Sequence, residues 1–349
     1  MDNTTTSDFS ISTPRNHGLL NLNIVNVFHL VIGVIGILCN TLSIVIILKI
    51  PVSKSSRVNL FILNQSIVDL TSSMFLIIFA LSLETSQYIG VLGEFLCRFW
   101  SPGSHKFLFV TFAISTFNLT AMSIERYTAV IHHLNYKKLF TRRNTVFIIV
   151  SVYILGPLAQ FIPILKLNVI DAKCEVKASW SSVKNSIVGT FLFIWEFLIP
   201  CLVMTYAYVM IIRKLRSSSV QPLGNDPNRA SPTNADTSGS SSAVTAASQN
   251  IPNQIRHKNI TITVFILFIV YIICWSPNQF TFLQFNLGGP LDFSGGWYHF
   301  TVFLAFCNTF SNTFVYAFKQ RHFQNVLKNV LCRRAEEIHE VSTSTSGGS

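Results

Sequence analysis

The sequence contains seven apolar segments, each long enough to cross a lipid bilayer as a helix, which needs about 20 residues. Inside lipid the backbone must satisfy its own hydrogen bonds, so segments of this length and hydropathy are predicted to be α-helices. The predicted fold class is therefore an all-α membrane protein, a bundle of seven transmembrane helices. The segments are residues 24–49, 58–82, 104–130, 144–166, 186–213, 256–284 and 297–318.

The distribution of positive charge predicts the orientation of this bundle. Half of the residues are hydrophobic and only 12% are charged, whereas a soluble chain carries about 25% charged residues. If the N-terminus lies outside, nineteen of the 26 Lys and Arg residues fall in the inner connections and the C-terminal tail. The positive-inside rule then places the C-terminus in the cytoplasm. The same placement explains the net charge of +11 without nucleic acid as a partner.

Polar regions flank and interrupt the helices. Residues 1–23 form the predicted extracellular tail, in which Asn3 begins a glycosylation sequon. Residues 217–253 are rich in Ser, Asn, Pro and Ala and have no apolar periodicity, which predicts a disordered third inner loop. The alternating stretch "AKCEVKAS" after the fourth segment is compatible with a hairpin.

The chain after the seventh segment alternates basic and apolar residues in "FKQRHFQNVLKNVLCRR". This pattern predicts a short amphipathic eighth helix on the inner membrane surface, so that the membrane domain spans residues 24–331. Cys332 follows this helix and is a candidate for palmitoylation, with an unmodified Cys as the alternative. Residues 332–349 form the predicted cytoplasmic tail, with clustered Ser and Thr as candidate phosphorylation sites.

Several polar side chains lie inside the apolar segments, where they are costly and mark candidate functional sites. Asp69 lies in the second segment, Ser115 in the third, and Asn308 and Asn312 share one helical face of the seventh. Asn40 lies in the middle of the first. Each alone is more often a hydrogen-bonding contact between helices. Together they predict a polar cluster at mid-depth, suited to a small hard cation or a proton.

Glu196 is the other acid inside an apolar segment, one turn before Pro200. One interpretation is a protonated carboxyl group bonded to a neighbouring helix. The other is a contact with a ligand, and the sequence leaves both open.

Six short motifs follow one another along the chain, each on its own apolar segment. They are "GILCN" with Asn40, "NQSIVDL" with Asp69, "ERY" at 125–127, "FLIPCLVMTYAY" with Pro200 and Tyr208, "CWSP" at 274–277, and "NTFVY" with Asn312 and Tyr316. In this order they resemble the motifs of class A, rhodopsin-like G-protein-coupled receptors, over about residues 24–331. The stretch "CRFW…STFNLTAMSIERY" also resembles orphan receptors of invertebrate animals, some of them peptide-type.

The resemblance implies a multi-pass receptor of the plasma membrane and not an enzyme. Such a receptor binds an extracellular ligand and activates a heterotrimeric G protein when its sixth helix moves outward. Glu125 would hold Arg126 in the silent form, and the freed Arg126 would line a cavity for the G protein. The alternative is that this charge pair only caps the helix at the lipid headgroups. The residues implied in coupling are Glu125, Arg126, Tyr127, Leu134, Tyr208, Trp275, Pro277, Asn312 and Tyr316.

The resemblance also implies an allosteric Na⁺ ion as the one possible cofactor. Its four implied ligands are Asp69, Ser115, Asn308 and Asn312. A disulfide between Cys97 and Cys174 is implied in the same way, since the surroundings outside the cell are oxidising. Phosphorylation of the inner Ser and Thr clusters by receptor kinases would add charge that arrestin binds, and membrane lipids complete the expected partners.

The implied pocket indicates the class of ligand. An amine receptor would carry Asp at the position of Leu108, and an opsin would carry Lys at that of Phe306, so neither class fits. Aromatic and amide side chains around Glu196 favour a peptide, because a basic or amide group would offset desolvation of the acid. A small cation and a lipid are the alternatives. The pocket residues are Leu108, Phe109, Phe112, Glu196, Asn278, Gln279, Phe282, Tyr298 and Val302.

Three departures from the family pattern change the expectations. The outer end of the third helix is longer than usual, and "SPGSH" at 101–105 predicts a break there. Val152 or Tyr153 lies near the place of the usual Trp in the fourth helix. Thr313 replaces the usual Pro of the seventh helix, which softens the bend expected there.

A seven-helix transporter or channel is the rival from a different class. It is expected to show internal repeats or broken helix pairs at mid-depth, but the sequence has no internal repeat and the six motifs would be unexplained. An intramembrane enzyme would need a cluster of catalytic side chains. None of the nine His residues has a convincing catalytic spacing.

Overall fold

The computed structural model describes residues 18–50, 57–81, 89–100, 106–164, 167–170, 173–176, 181–219, 241–319 and 323–329. Asn3 and Cys332 lie outside the described residues, so glycosylation and palmitoylation stay predictions. The helices are α1 (Gly18–Leu48), α2 (Arg57–Leu81), α3 (Gly90–Trp100), α4 (Lys106–Ile131), α5 (His133–Leu139), α6 (Arg142–Leu158), α7 (Phe161–Ile164), α8 (Ser182–Phe193), α9 (Ile199–Ser219), α10 (Ser241–Asn286), α11 (Gly296–Lys319) and α12 (323–329).

Long helices occupy the places of all seven predicted segments. By length and apolar composition, five helical stretches of the described chain can cross a membrane, and α5 with α6, bent by 74° at the break between them, gives a sixth candidate. α11 occupies the seventh segment and is 24 residues long. It is not among these candidates, because its Asn, Ser and Thr residues lower its hydropathy. The five stretches are Val25–Leu48, Arg57–Leu81, Phe107–Ile131, Ser182–Ser217 and Asn259–Asn286.

The helix α4 lies at the centre of the bundle. It packs against α2, α6, α9 and α10, while α1 packs against α2 and α11, and α10 packs against α11, so the ring of helices closes. Large apolar side chains such as Leu48, Phe147 and Leu158 are exposed on its outside. This arrangement is the one expected where lipid surrounds the protein.

A π-helical turn joins α8 to α9 within the fifth predicted segment. It covers Ile194–Leu198 and therefore includes Glu196. The wider turn changes the direction of the side chains that follow, and such turns are frequent at functional sites. At the start of α8, the Ser181 hydroxyl accepts a hydrogen bond from the backbone N–H of Lys184 at 3.4 Å, which caps the helix.

The helix α10 begins earlier than the sequence predicts. It starts at Ser241, so residues 241–253 are helical, which corrects the prediction that 217–253 is disordered throughout. The stretch "SSAVTAASQN" is rich in Ala, the best helix former, and elongating an existing helix is easier than starting one. Residues 220–240 lie outside the described part of the chain.

A separate helix precedes the expected break in the third predicted helix, and a hairpin follows α7. α3 ends at Trp100 and α4 begins at Lys106, as two separate helices, and residues 101–105 are not among those described. The strands β1 (Leu167–Ile170) and β2 (Lys173–Val176) pair antiparallel, which confirms the hairpin.

The implied disulfide is confirmed. Cys97 on α3 is bonded to Cys174 on β2, with the two Cα atoms 5.3 Å apart. The bond ties the hairpin to α3. At the other end of the chain, Phe323 at the start of α12 is buried, with its ring centroid 6.3 Å from that of Tyr316. α12 lies within the predicted eighth helix, whose place on the membrane surface stays a prediction.

Candidate functional site

The adjacent acid and base at the C-terminal end of α4 form a closed ion pair. Arg126 Nε donates a hydrogen bond to Glu125 Oε2, and Nη2 donates to Oε1, both at 2.5 Å. Tyr136 on α5 donates its hydroxyl to the same Oε1 at 2.5 Å. Both charged side chains are fully buried, so the pair depends on these charge-assisted hydrogen bonds rather than on solvent. A cap exposed to lipid headgroups would not be buried in this way.

Two tyrosines implied in the switch are buried in the same bundle. Tyr208 on α9 lies with its hydroxyl 3.3 Å from that of Ser123, and its ring stacks on Phe268 of α10 with centroids 5.6 Å apart. The hydroxyl of Tyr316 and Nη1 of Arg126 have no hydrogen-bond partner within the described chain. Buried polar groups without partners are rare and unfavourable, so a rearrangement that pairs them would be favoured.

Leu134 lies on the surface of α5, where 84% of the side chain is exposed. An apolar side chain in this position can be buried by a binding partner, as the resemblance implies. Tyr127 lies on the neighbouring part of α4, with its ring centroid 5.9 Å from Tyr206 and 5.5 Å from His132.

Trp275 and Phe112 form a buried aromatic contact in the core. Their ring centroids are 5.0 Å apart in an edge-to-face arrangement, and Phe306 lies 5.7 Å from Phe112. Trp275 Nε1 has no hydrogen-bond partner in the part of the chain that the structure describes. Pro277 follows two residues later inside α10, where a proline allows a helix to bend.

The predicted pocket residues fall into two sets that differ in how buried their side chains are. One set belongs to the buried core or packs directly against it: Leu108, Phe109, Phe112 and Val302. The other set is half-buried or exposed: Asn278, Gln279, Phe282 and Tyr298. The first set is apolar, and the second includes amide and hydroxyl groups, so together they have the composition typical of ligand sites.

Glu196 is bonded to a neighbouring helix. Gln160, just beyond the end of α6, donates its Nε2 to both carboxylate oxygens at 2.7 and 2.9 Å. Tyr271 donates its hydroxyl to the backbone carbonyl of Glu196 at 3.3 Å. The contact with another helix is therefore present, while the protonation of Glu196 and its contact with a ligand both stay predictions. Sequence reasoning missed Gln160, whose only signal is a polar residue within "GPLAQFIP".

Three of the four residues implied in ion binding meet at mid-bundle. Asn312 Nδ2 donates to Asp69 Oδ2 at 2.8 Å, and the Ser115 hydroxyl donates to Oδ1 at 3.3 Å. Gln65, one turn earlier on α2, donates its Nε2 to both carboxylate oxygens at 3.2 Å. Asn308 is buried and is not among the hydrogen-bond partners of Asp69. The carboxylate is thus surrounded by donors from α2, α4 and α11.

Asn40 belongs to a separate contact between α1 and α11. Its Nδ2 donates to the Thr309 carbonyl at 2.7 Å. The Thr313 hydroxyl lies 2.9 Å from that of Ser43 and 3.4 Å from Asn40 Oδ1. The residue that replaces the usual Pro therefore joins the two helices.

A family model described as "7 transmembrane receptor (rhodopsin family)" matches residues 39–316. The match covers most of the chain, from the end of "GILCN" to the tyrosine of "NTFVY". The chain belongs to this family. Its members are seven-helix receptors, so the protein is a multi-pass signalling receptor of the plasma membrane rather than an enzyme.

Curated relatives of this rhodopsin-family receptor include peptide receptors at low identity. Galanin receptor 2b of Danio rerio is 26% identical, with 88% of this chain and 74% of the relative aligned. Galanin receptor type 1 of Rattus norvegicus is 27% identical, with 92% and 85% aligned. Somatostatin receptor type 2 of Sus scrofa is 26% identical, with 94% and 82% aligned.

The donors around Asp69 in this rhodopsin-family receptor do not fit a sodium ion. A cation needs oxygen ligands, but the amide nitrogen of Gln65 lies between the Asp69 carboxylate and the Ser115 hydroxyl, which it also contacts. An N–H group is a donor only and presents positive charge to the carboxylate. Sequence reasoning missed Gln65, although its polarity one turn before Asp69 in "NQSIVDL" was a signal.

Proposed function

We propose that this receptor is activated by an extracellular peptide and then activates a heterotrimeric G protein. The observation that supports this most is its similarity to galanin and somatostatin receptors over about nine tenths of the chain. The apolar side chains and the half-buried amides of Asn278 and Gln279 among the predicted pocket residues suit a peptide, which combines apolar side chains with many hydrogen-bonding groups.

The mechanism follows from the closed ion pair. A ligand that contacts α10 from outside would favour a form in which the inner end of α10 moves outward. This movement would open the contacts of α10 with Tyr208 and let Arg126 exchange Glu125 for new partners. Nη1 of Arg126 and the Tyr316 hydroxyl, both unpaired among the described residues, would then pair in the open form.

The proposed topology has the N-terminus outside and the C-terminus in the cytoplasm. In this orientation Leu134 and the end of α4 face the G protein, and α12 belongs to an amphipathic helix on the inner membrane surface. Receptor kinases and arrestin would act on the Ser and Thr clusters of the inner loop and tail. Membrane lipids would contact the exposed apolar outside of the bundle.

The test is a panel of G-protein reporters in cells that express the receptor and are exposed to fractionated peptide extracts. We expect an active fraction whose signal disappears in Arg126→Ala at equal surface expression. Arg143→Ala is the matched control, because Arg143 is exposed on α6 and makes no contact in the switch. Full signalling by Arg126→Ala would contradict the proposal.

Protease treatment of the active fraction distinguishes the ligand classes. Loss of activity after digestion supports a peptide, whereas a resistant activity identifies a small cation or a lipid as the ligand. Ligand-induced current in cells without G-protein signalling would instead support a channel or transporter.

A further inference from the structure

The side chain of Gln65 occupies the place in which the family resemblance puts an ion. Its Nε2 lies 3.2 Å from each Asp69 carboxylate oxygen and also donates to the Ser115 hydroxyl. Three of the oxygens expected to bind a cation, two from Asp69 and one from Ser115, therefore contact one amide nitrogen. We propose that Gln65 replaces the ion, so that the protein closes the Asp69 site with its own donors and does not bind sodium there.

The orientation of the Gln65 amide is fixed by its other end. Gln65 Oε1 accepts a hydrogen bond from Asn118 Nδ2 at 2.8 Å. The same Nδ2 donates to the Phe61 backbone carbonyl at 3.0 Å, and a carbonyl can only accept. Asn118 must therefore present nitrogen on this side, and Gln65 must present oxygen to it and nitrogen to Asp69.

Two further residues, Asn64 and Tyr153, extend this chain of hydrogen bonds across the bundle. Asn118 Oδ1 accepts from Asn64 Nδ2 at 3.0 Å, and Asn64 Oδ1 accepts from the hydroxyl of Tyr153 on α6 at 2.9 Å. Tyr153 is one of the two residues near the place of the usual Trp in the fourth helix. Turning the Gln65 amide would break its bonds at both ends and leave buried polar groups unpaired, which is strongly unfavourable.

The carboxylate oxygens of Asp69 have hydrogen-bond donors without a cation. Besides Gln65, the carboxylate accepts hydrogen bonds from Ser115 on α4 and Asn312 on α11. Neutral donors that all point at one carboxylate stabilise its charged form. Activation of this receptor would then break protein hydrogen bonds at Asp69 instead of releasing an ion, and the silent form would not depend on sodium concentration.

The test compares thermal unfolding of the purified full-length receptor in sodium chloride and in N-methyl-D-glucamine chloride at equal ionic strength. We expect the Tm of the unmodified receptor to agree within about 1 °C in the two salts, since only a bound ion stabilises the native form by mass action. Gln65→Leu removes the amide, and we expect sodium to raise its Tm by about 3 °C or more. Adding Asp69→Asn to Gln65→Leu should remove this increase.

Gln284→Leu is the matched control, because it makes the same substitution at an exposed position of α10, away from a carboxylate. It should show no sodium-dependent change in Tm. The proposal is overturned if sodium stabilises the unmodified receptor and Asp69→Asn removes the effect, or if folded Gln65→Leu gains no response to sodium. Where Gln65→Leu does not fold, the ²³Na line width decides the matter: broadening by the unmodified receptor beyond that of folded Asp69→Asn also overturns the proposal.

Discussion

Glu125 and Arg126 carry two opposite charges that have no contact with solvent in the closed bundle. Each is stable there only because of the other, since removing one partner of a buried pair typically costs about 3–5 kcal/mol. Under the proposed mechanism the pair would favour the closed form, and opening it would require new partners for the guanidinium. This would explain why an apolar helix ends with an adjacent acid and base, and the two residues would then act as a switch between the two forms.

Replacing Glu125 by Gln tests the switch directly. The amide keeps the size of the side chain but loses the negative charge, so the closed form is destabilised relative to the open one. A difference of about 1 kcal/mol raises the open population about fivefold, and we expect a similar rise in nucleotide exchange without ligand. Exchange by reconstituted receptor and G protein measures this at equal receptor amounts.

Tyr136→Phe is the control for Glu125→Gln. It removes one hydrogen bond to Glu125 Oε1 and keeps the charge pair, so its ligand-independent exchange should lie between the unmodified receptor and Glu125→Gln. Basal exchange by Glu125→Gln no higher than that of the unmodified receptor would show that the pair does not hold the silent form.

Single residues could be predicted where the free-energy cost of placing a polar side chain in an apolar segment marked them as functional. A carboxylate in an apolar segment indicated Asp69, and the shared helical face of the seventh segment indicated Asn312, which indeed contacts it. The partners Gln65 and Gln160 were not predicted, because a neutral amide is cheap enough in a helix to pass without a function. Which acid such an amide contacts depends on the packing angles between helices, and these angles cannot be derived from one sequence.

At the scale of elements, the contact between α1 and α11 shows what a substitution in a family motif can do. A proline in the seventh helix would lack a backbone N–H and bend the helix. Thr313 keeps the N–H and adds a hydroxyl that joins Ser43 and Asn40. The place of an expected bend thus becomes a connection between two helices.

Thr313→Val should weaken this connection and little else, because Val has the shape of Thr without the hydroxyl. A hydrogen bond between membrane helices is worth about 0.6 kcal/mol on average, so we expect a Tm lower by about 1–2 °C. Thermal unfolding of the purified receptor measures it. Thr301→Val is the control, since it makes the same change at a hydroxyl that donates within α11, to the Tyr298 carbonyl at 2.9 Å. An equal or larger fall in Thr301→Val would contradict the assignment.

Element boundaries were predicted closely for only some of the membrane helices: α6, for example, ends at Leu158, eight residues before the predicted end at 166. The ends of α2 and α11 lie within one residue of the predictions, because the hydrocarbon thickness sets the length of an apolar run. The helix α3 and the π-helical turn at Ile194–Leu198 were not predicted. Neither is marked by an apolar run long enough to cross a membrane. The first is a helix of 11 residues in a connection between two longer helices, and the second needs one extra residue in a turn that is largely apolar.

At the scale of the whole molecule, the closed ring of helices around α4 explains why the fold could be predicted at all. Each long segment has to be a helix in lipid, and only packing against neighbours hides its polar residues. The family match over residues 39–316 agrees with this architecture. The orientation of the ring in the membrane rests on charge alone, since nineteen of the 26 Lys and Arg residues would lie on the inner side.

Topology can be measured with short epitope tags fused before Met1 and after Ser349. Positive residues remain on the cytoplasmic side during insertion, so we expect an antibody to bind the first tag on intact cells and the second only after permeabilisation. Asn3 would then face the glycosylation machinery, and Asn3→Gln should remove the mobility shift caused by glycosidase. Antibody binding to the C-terminal tag on intact cells would show that the bundle has the opposite orientation. The Glu125–Arg126 pair would then lie on the side of the membrane where no G protein is present.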